Sequence, residues 1–360
     1  MNYLVISPYY PQNFQQFTVE LANKGITVLG IGQEPYEQLD QPLKDALTEY
    51  FRVDNLENLD EVKRAVAFLF YKHGPIDRIE SHNEYWLELD AALREQFNVF
   101  GAKPEDLKKT KFKSEMKKLF QKAGVPVVPG AVIKTDEDVD KAVKEIGLPM
   151  IAKPDNGVGA AATFKLETED DINHFKAEWD HETVYFFEKF VTSSEICTFD
   201  GLIDHDGNIV FSTTFDYAHT PLDLMIYKMD NSYYVLKDMD PKLRKYGEAI
   251  VKEFGMKERF FHIEFFRDGD DYIAIEYNNR PAGGFTIDVY NYAHSFDLYK
   301  GYADIVAGEP FPASQFEPLY CLATSRRVSS HYAYSEEELF DKYREQPVSY
   351  THLRAHETVL

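Results

Sequence analysis

Phe260–Arg280 reads FFHIEFFRDGDDYIAIEYNNR, and PAGG (281–284) follows. Two apolar runs flank Asp268-Gly269-Asp270-Asp271, whose residue types favour a turn, so a β-hairpin is expected. With pairing centred on Asp270, Phe266 faces Ala274 and Glu264 faces Glu276. The strand period of two sorts the faces. One face, with Phe261, Ile263, Phe265, Ile273, Ile275 and Tyr277, is a core face. The other carries His262, Glu264, Ala274, Glu276 and Asn278. Facing Cβ atoms lie about 4.5–5.5 Å apart, where like charges repel. A divalent cation removes that repulsion, and two carboxylates with an amide oxygen suit Mg2+ or Mn2+. Taken alone, the pattern is equally a solvated acidic face on an edge hairpin.

Other segments supply groups that suit an anion. Ile151–Phe164, IAKPDNGVGAAATF, sets Lys153 at a strand end before a loop of small residues. Gly157, Gly159 and Ala160–Ala162 let backbone N–H groups approach a ligand closely. No Gly-Lys-Ser/Thr follows, so the loop is not a Walker A motif. Tyr185–Val191, YFFEKFV, is an apolar strand with Glu188 and Lys189 inside it, and Glu195 follows shortly. Each of these alone also reads as ordinary surface structure.

The first hundred residues alternate in pattern. YLVIS (Tyr3–Ser7) and GITVLGIG (Gly25–Gly32) are strands about a helical stretch with Phe14, Phe17, Val19 and Leu21. YFRV, a helix over Leu59–Tyr71 and IDRIE repeat the alternation, which implies a parallel sheet with helices on its faces. The turn SPYYPQ has no glycine fingerprint, so no nicotinamide site is expected. A lysine-rich helix is expected over Pro104–Lys122, then a Gly/Pro-punctuated crossover, GVPVVPGAVI. Thr135 with Asp138, and Thr168 with Asp171, are capping-box starts. From Glu195 onward strands dominate, interrupted by a helix over Pro241–Phe254 and closed by helices near 287–293 and 297–307.

Composition narrows the class. The 360 residues are 44% hydrophobic and 15% aromatic, an ordinary folded chain with room for two or three cores. The formal charge of −22 opposes nucleic acid and anionic membrane surfaces as partners. No apolar run is long enough to span a bilayer, and the N-terminus lacks a signal-peptide pattern. Cys197 and Cys321 are too few and too far apart for a disulfide framework or thiolate metal site, so a cytoplasmic location is expected. The last fourteen residues, PVSYTHLRAHETVL, resemble a translated sequencing-adapter tail and are expected to lie outside the fold.

Taken in order, these pieces resemble the ATP-grasp superfamily over roughly Lys103–Gly308: a helix with lysine, Lys before a Gly-rich loop, EKFV, then Glu to Glu-x-Asn-x-Arg. The resemblance implies an α/β and α+β chain, an ATP-grasp fold with an N-terminal Rossmann-like pre-ATP-grasp domain. The expected units are 1–103, a small lid subdomain with its entry helix (104–191), a large metal and substrate subdomain (192–310), an extension (311–346) and the tail (347–360). By the same resemblance, Lys111 and Lys153 contact ATP phosphates, and Gly157, Val158, Gly159, Ala160 and Ala161 close over them. The backbone of Lys189 and Val191 reads adenine with Glu188 nearby, and Glu195 holds the ribose. Glu264, Glu276 and Asn278 bind Mg2+ or Mn2+, and Arg280 faces the transferred group.

NNRPAGGFTIDVYNYA is similar to the carboxylate–amine ligase group, including dipeptide-forming amino-acid ligases. Pro281-Ala282-Gly283-Gly284 stands where the biotin-carboxylase branch has Gln-Val-Glu-His, so bicarbonate and biotin are not expected. The small-molecule partners are then a carboxylate and an amine, or a thiol in place of the amine, joined through an acyl phosphate, with a homodimer as the candidate assembly. Thr213–Asp238 is expected to border the acceptor pocket, with Asp216, His219, Tyr227 and Lys228 as candidate contacts, though each equally fits a β-rich surface connection that packs its tyrosines. Gly283 and Gly284 can present N–H groups to a substrate carboxylate, and Asp288 can pair with an amino group. A phosphotransferase and a non-catalytic nucleotide-binding module are the alternatives.

Overall fold

The computed structural model describes residues 1–156, 162–192, 195–220, 223–224, 227–312, 317–327 and 330–345. The loop Gly157–Ala161 and the tail lie outside these residues. Strands β1 (Asn2–Ile6), β2 (Thr27–Gly32), β3 (Glu49–Arg52) and β4 (Arg78–Glu80) form a parallel sheet ordered β3-β2-β1-β4. Its two faces follow the strand period. Leu4 and Ile6 pack with Val62, Val66 and Leu69 of the helix Leu59–His73. Tyr3 and Val5 point the other way, into a core shared with Phe260, Tyr290 and Tyr302. The N-terminal sheet is thereby fused to the rest of the chain through buried apolar surface.

A second, antiparallel sheet is ordered β5-β8-β6-β7 (Gly130–Ile133, Tyr185–Lys189, Met150–Pro154, Phe164–Leu166). Both expected capping boxes start its helices. Thr135 Oγ1 accepts from Asp138 N at 3.2 Å, and Thr168 Oγ1 accepts from Asp171 N at 3.2 Å. The third sheet has seven strands. Its path is β14 (Asp271–Asn278), β13 (Arg259–Asp268), β9 (Ile196–Ile203), β11 (Phe215–Tyr217), β12 (Ser232–Val235) and β15 (Cys321–Thr324), with β10 (Ile209–Thr213) pairing β9.

The lysine-rich stretch departs from expectation. It forms two helices, Pro104–Lys111 and Lys113–Lys122, broken at Phe112 in an extended conformation. The cause lies far along the chain. Asp155 caps the second helix: its Oδ1 accepts from Ser114 N at 2.8 Å, its Oδ2 from Ser114 Oγ at 2.7 Å and its main-chain oxygen from Lys113 N at 3.0 Å. Leu107, Met116 and Phe120 of these helices share a core with Phe199, Phe254, Phe261 and Tyr277 of the large unit.

The hairpin pairing also needs a correction. The turn is two residues long, with Asp268 opposite Asp271 and Gly269 at φ 59°. Phe266 therefore faces Ile273, and Phe265 faces Ala274. A bulge at Ile275 then restores the expected pairing of Glu264 with Glu276. The bulge also switches the buried face of β14, so Tyr272, Ala274 and Tyr277 are buried while Ile273 and Ile275 are only half-buried.

The helix Pro241–Phe254 packs on β9 through a contact that needs a glycine. A Cβ at Gly247 would lie 2.1 Å from the Phe199 ring. Alanine gains about 0.5–1 kcal/mol of helix propensity, but overpacking costs about 1–3 kcal/mol. Gly247→Ala is expected to lower the melting temperature by several degrees in a thermal melt.

Candidate active site

The hairpin brings the expected carboxylates together. Glu264 faces Glu276 and His262 faces Asn278 across β13 and β14. The two carboxylate side chains are 14% and 29% exposed, so both are largely enclosed yet still reachable. Asn278 Nδ2 donates to His262 O at 3.4 Å, which leaves its Oδ1 as the ligand atom. No cluster of three His, Cys, Asp or Glu that could hold a metal occurs among the described residues. The donor set still fits Mg2+ or Mn2+: hard oxygens, two negative charges and an open side for phosphate oxygens.

Glu264 is held from beneath. Tyr217 OH donates to its Oε1 at 3.1 Å, and His262 Nε2 lies 3.5 Å from the same oxygen. His262 Nδ1 lies 2.6 Å from Asp200 Oδ1, and the other Asp200 oxygen accepts from Thr198 Oγ1 at 2.6 Å and from Tyr290 OH. Burial pulls the imidazole pKa down, but Asp200 and Glu264 outweigh it and lift the pKa to about 9. Burial raises the Glu264 pKa, yet His262 and Tyr217 hold it below the usual carboxylate range. Both carboxylate-facing groups thus favour an ionised Glu264.

The cations come from two units. Lys113 is buried, and its Nζ lies 3.8 Å from Glu276 Oε1. Lys117 Nζ lies 2.7 Å from Glu188 Oε1 and donates to the Ala274 carbonyl at 3.0 Å. Lys153 Nζ lies 3.6 Å from Glu188 Oε2. Burial alone would raise the Glu188 pKa, and Lys117 with Lys153 brings it below its ordinary value. Glu188 is therefore the buried counter-charge that gathers lysines, tying β8 to the helix Lys113–Lys122 and to β14. Lys108, Lys109, Lys118 and Lys122 of the same stretch pair with carboxylates on the surface.

Lys111 sits elsewhere. Its Nζ is 3.8 Å from Glu84 Oε1, and Arg280 Nε donates to Glu84 Oε2 at 3.0 Å. Arg280 Nη1 also donates to the Pro281 carbonyl at 2.8 Å. Glu84 follows β4 and was not singled out from sequence. Its signal is positional, because ligands of open α/β sheets gather beyond the carboxyl ends of the strands, and SHNE (81–84) is a polar cluster at that place. Lys113 rather than Lys111 stands beside the hairpin carboxylates. Lys113→Met is expected to raise KM for ATP about tenfold or more, measured by ADP release, while Lys111→Met leaves that constant nearer to wild type.

At the edge of β8, Lys189 N donates to Pro129 O at 2.9 Å and Phe190 N to Pro149 O at 3.1 Å. Prolines have no N–H, so neither can return a bond to the carbonyls of Lys189 and Phe190. The Lys189 N–H is committed and its carbonyl is the group left for a base edge. The Lys189 ammonium is tied to the carbonyls of Gly147 at 3.1 Å and Leu148 at 2.9 Å. Val191 lies just beyond the strand and is half-buried. Glu195 is 72% exposed, with Arg267 Nε 3.6 Å away.

The substrate candidates divide. Tyr227 and Lys228 are exposed and His219 is half-buried, whereas the tyrosine that reaches Glu264 is Tyr217. Asp216 is paired with Arg267 at 3.1 Å, and so serves the sheet. Gly284 O accepts from Asn13 Nδ2 at 3.0 Å, and Gly283 O accepts from Thr286 Oγ1 at 2.5 Å. Asp288 Oδ2 accepts from Asn13 at 2.9 Å and Tyr299 OH at 3.1 Å. Burial pushes the Asp288 pKa up, against these two donors.

Residues 137–288 match the family model described as an ATP-grasp domain. The chain is 24% identical over 297 residues to an L-arginine-specific L-amino acid ligase of Bacillus subtilis, covering 78% of this chain and 69% of that one. It is 24% identical over 224 residues to the C-terminal section of the carbamoyl phosphate synthase large chain of Methanopyrus kandleri, covering 59% of this chain and 40% of that one. Among solved structures it is similar to the L-amino acid ligase of Bacillus licheniformis, with TM-score 0.66, 15% identity and coverage of 87% of this chain and 75% of that one. Residues 137–288 thus match an ATP-grasp domain, and over a longer stretch the chain is similar to L-amino acid ligases.

Proposed function

We propose that the chain is an ATP-dependent ligase that joins a carboxylate to an amine through an acyl phosphate. The observation that carries this reading is Glu264 facing Glu276, with Lys113 against one of the pair and Arg280 beyond the end of the same strand. In the proposed reaction a substrate carboxylate oxygen attacks the γ-phosphorus of ATP, and ADP leaves. The amine then attacks the acyl carbon, phosphate leaves, and the amine proton passes to solvent or a nearby base. Positioning and charge neutralisation dominate such a transfer.

Glu264, Glu276 and Asn278 would hold Mg2+ or Mn2+, which supplies charge neutralisation to the phosphates when bound. Lys113 and Lys153 neutralise phosphate oxygens from two sides. Arg280 offers a planar fork to the acyl phosphate and to the oxyanion formed when the amine adds. The Lys189 carbonyl and the Val191 N–H meet the adenine, and Glu195 meets the ribose. Gly283, Gly284 and Asp288 border the carboxylate side, and the resemblance to L-amino acid ligases favours amino acids as both substrates. Two free cysteines, Cys197 buried and Cys321 half-buried, support a reducing, cytoplasmic setting.

The test is release of ADP and phosphate from Mg-ATP against amino acids and small carboxylates, singly and in pairs, with mass spectrometry of products. A condensed product that requires both partners is expected. A stable phosphorylated product without an amine would replace the ligase with a phosphotransferase. ATP binding with no release for any pair would leave a binding module.

A further inference from the structure

Arg259 opens β13 and is buried. Its guanidinium serves two masters. Nε and Nη2 donate to the main-chain oxygen of Asn279 at 3.2 and 2.9 Å. Nη1 and Nη2 donate to Glu80 Oε2 and Oε1 at 2.7 and 3.3 Å. Glu80 ends β4 of the N-terminal sheet and is also held by Arg94 Nη2 at 3.0 Å. Arg94 is fixed in turn by the carbonyls of Ile79 at 2.8 Å and Ala102 at 3.2 Å. The frame behind Arg259 is therefore rigid and fully enclosed.

Asn279 stands between Asn278 and Arg280. Its side chain is 1% exposed, and neither atom of its amide has a hydrogen-bond partner among the described residues. Its own side chain therefore does nothing polar to fix this segment, which is held through the carbonyl that Arg259 grips. One residue later, the Arg280 fork is gripped by Glu84, from the same turn that begins at Glu80. A single turn of the N-terminal sheet thus holds the Arg280 segment twice, by its backbone through Arg259 and by its side chain through Glu84.

We propose that Arg259, backed by Glu80, is a positioning residue for Arg280, so that the N-terminal sheet is a working part of the reacting centre. This rests on the reading of Arg280 as the group that faces the acyl phosphate. Lysine at 259 keeps the positive charge beside Glu80 but has one donor centre. It cannot reach the Asn279 carbonyl and both Glu80 oxygens from one rigid plane. The Asn279 carbonyl is then released while the nucleotide-binding lysines, which lie on other elements, keep their places.

The experiment uses the full chain with the substrate pair found by the product screen. Arg259→Lys and Arg280→Lys are compared for kcat, KM for ATP, affinity for a fluorescent ATP analogue and melting temperature. For Arg259→Lys, kcat is expected to fall about 10–100-fold, the effect of a misplaced catalytic group. KM for ATP and analogue affinity should stay within about twofold, the split that marks loss of an interaction specific to the transition state. Unchanged kcat in a folded Arg259→Lys protein would overturn the proposal, as would a parallel loss of analogue affinity and melting temperature. Should Arg259→Lys fail to fold, Glu80→Gln keeps an acceptor oxygen for Arg259 and is read in the same way; failure of both to fold makes the pair purely structural and overturns the proposal. Wild-type turnover in Arg280→Lys would instead remove the reading of Arg280 itself.

Discussion

Glu276→Gln is expected to abolish turnover while leaving the fold intact. Glu276 faces Glu264 in the hairpin, at a separation where two like charges destabilise the pair. Glutamine removes one of those charges and keeps the side-chain length, so the melting temperature should hold or rise slightly. The same change halves the negative charge offered to a divalent ion and replaces a hard anionic ligand with a neutral one. It also leaves Lys113, 3.8 Å from Glu276, without that counter-charge. The expected loss in kcat is about 100-fold or more, near 3 kcal/mol of transition-state stabilisation. The check is ADP release at increasing Mg2+, paired with a thermal melt. Full activity at ordinary Mg2+ would sink the assignment of this carboxylate to the metal. Glu264 is the less clean target, because its removal also strips a partner from His262 and Tyr217.

What the sequence showed was local. The period of two along β13 and β14 placed Glu264 opposite Glu276, and the helix expected over Pro241–Phe254 has those observed ends. The two Thr-x-x-Asp boxes marked helix starts because both partners lie within one turn. What stayed hidden depended on contacts distant in the chain. The break at Phe112 is imposed by Asp155, whose cap no local pattern announces. Lys111, Lys113 and Lys117 are alike as letters, and only the break and the buried Glu188 sort them into different neighbourhoods. The bulge at Ile275 moved the core face without moving the carboxylates, so a one-residue error near the turn cancelled at the site. Glu84 and Glu80 reach the centre from the N-terminal sheet, across a separation that periodicity cannot see.

Arg280→Lys is expected to separate binding from chemistry. The groups placed at the nucleotide, Lys113, Lys153 and the edge of β8, lie on elements other than the one that carries Arg280, so ATP affinity should change by no more than about twofold. The chemical step is different. Arg280 spends Nε on Glu84 at 3.0 Å and Nη1 on the Pro281 carbonyl at 2.8 Å, which leaves Nη2 for the acyl phosphate in the proposed reading. A lysine ammonium can satisfy Glu84 or face the cleft, and it has no plane with which to do both. Loss of one preorganised oxyanion donor lowers kcat by about 10²–10³-fold, or about 2.7–4 kcal/mol. The measurement is single-turnover ADP formation beside equilibrium binding of an ATP analogue. Weak binding and slow turnover together would mean that Arg280 shapes the nucleotide cleft, and unchanged turnover would make it structural. If affinity holds and turnover is lost, the transition-state charge lies where Arg280 points. The Glu84 carboxylate then acts on the reaction by choosing the direction of that fork.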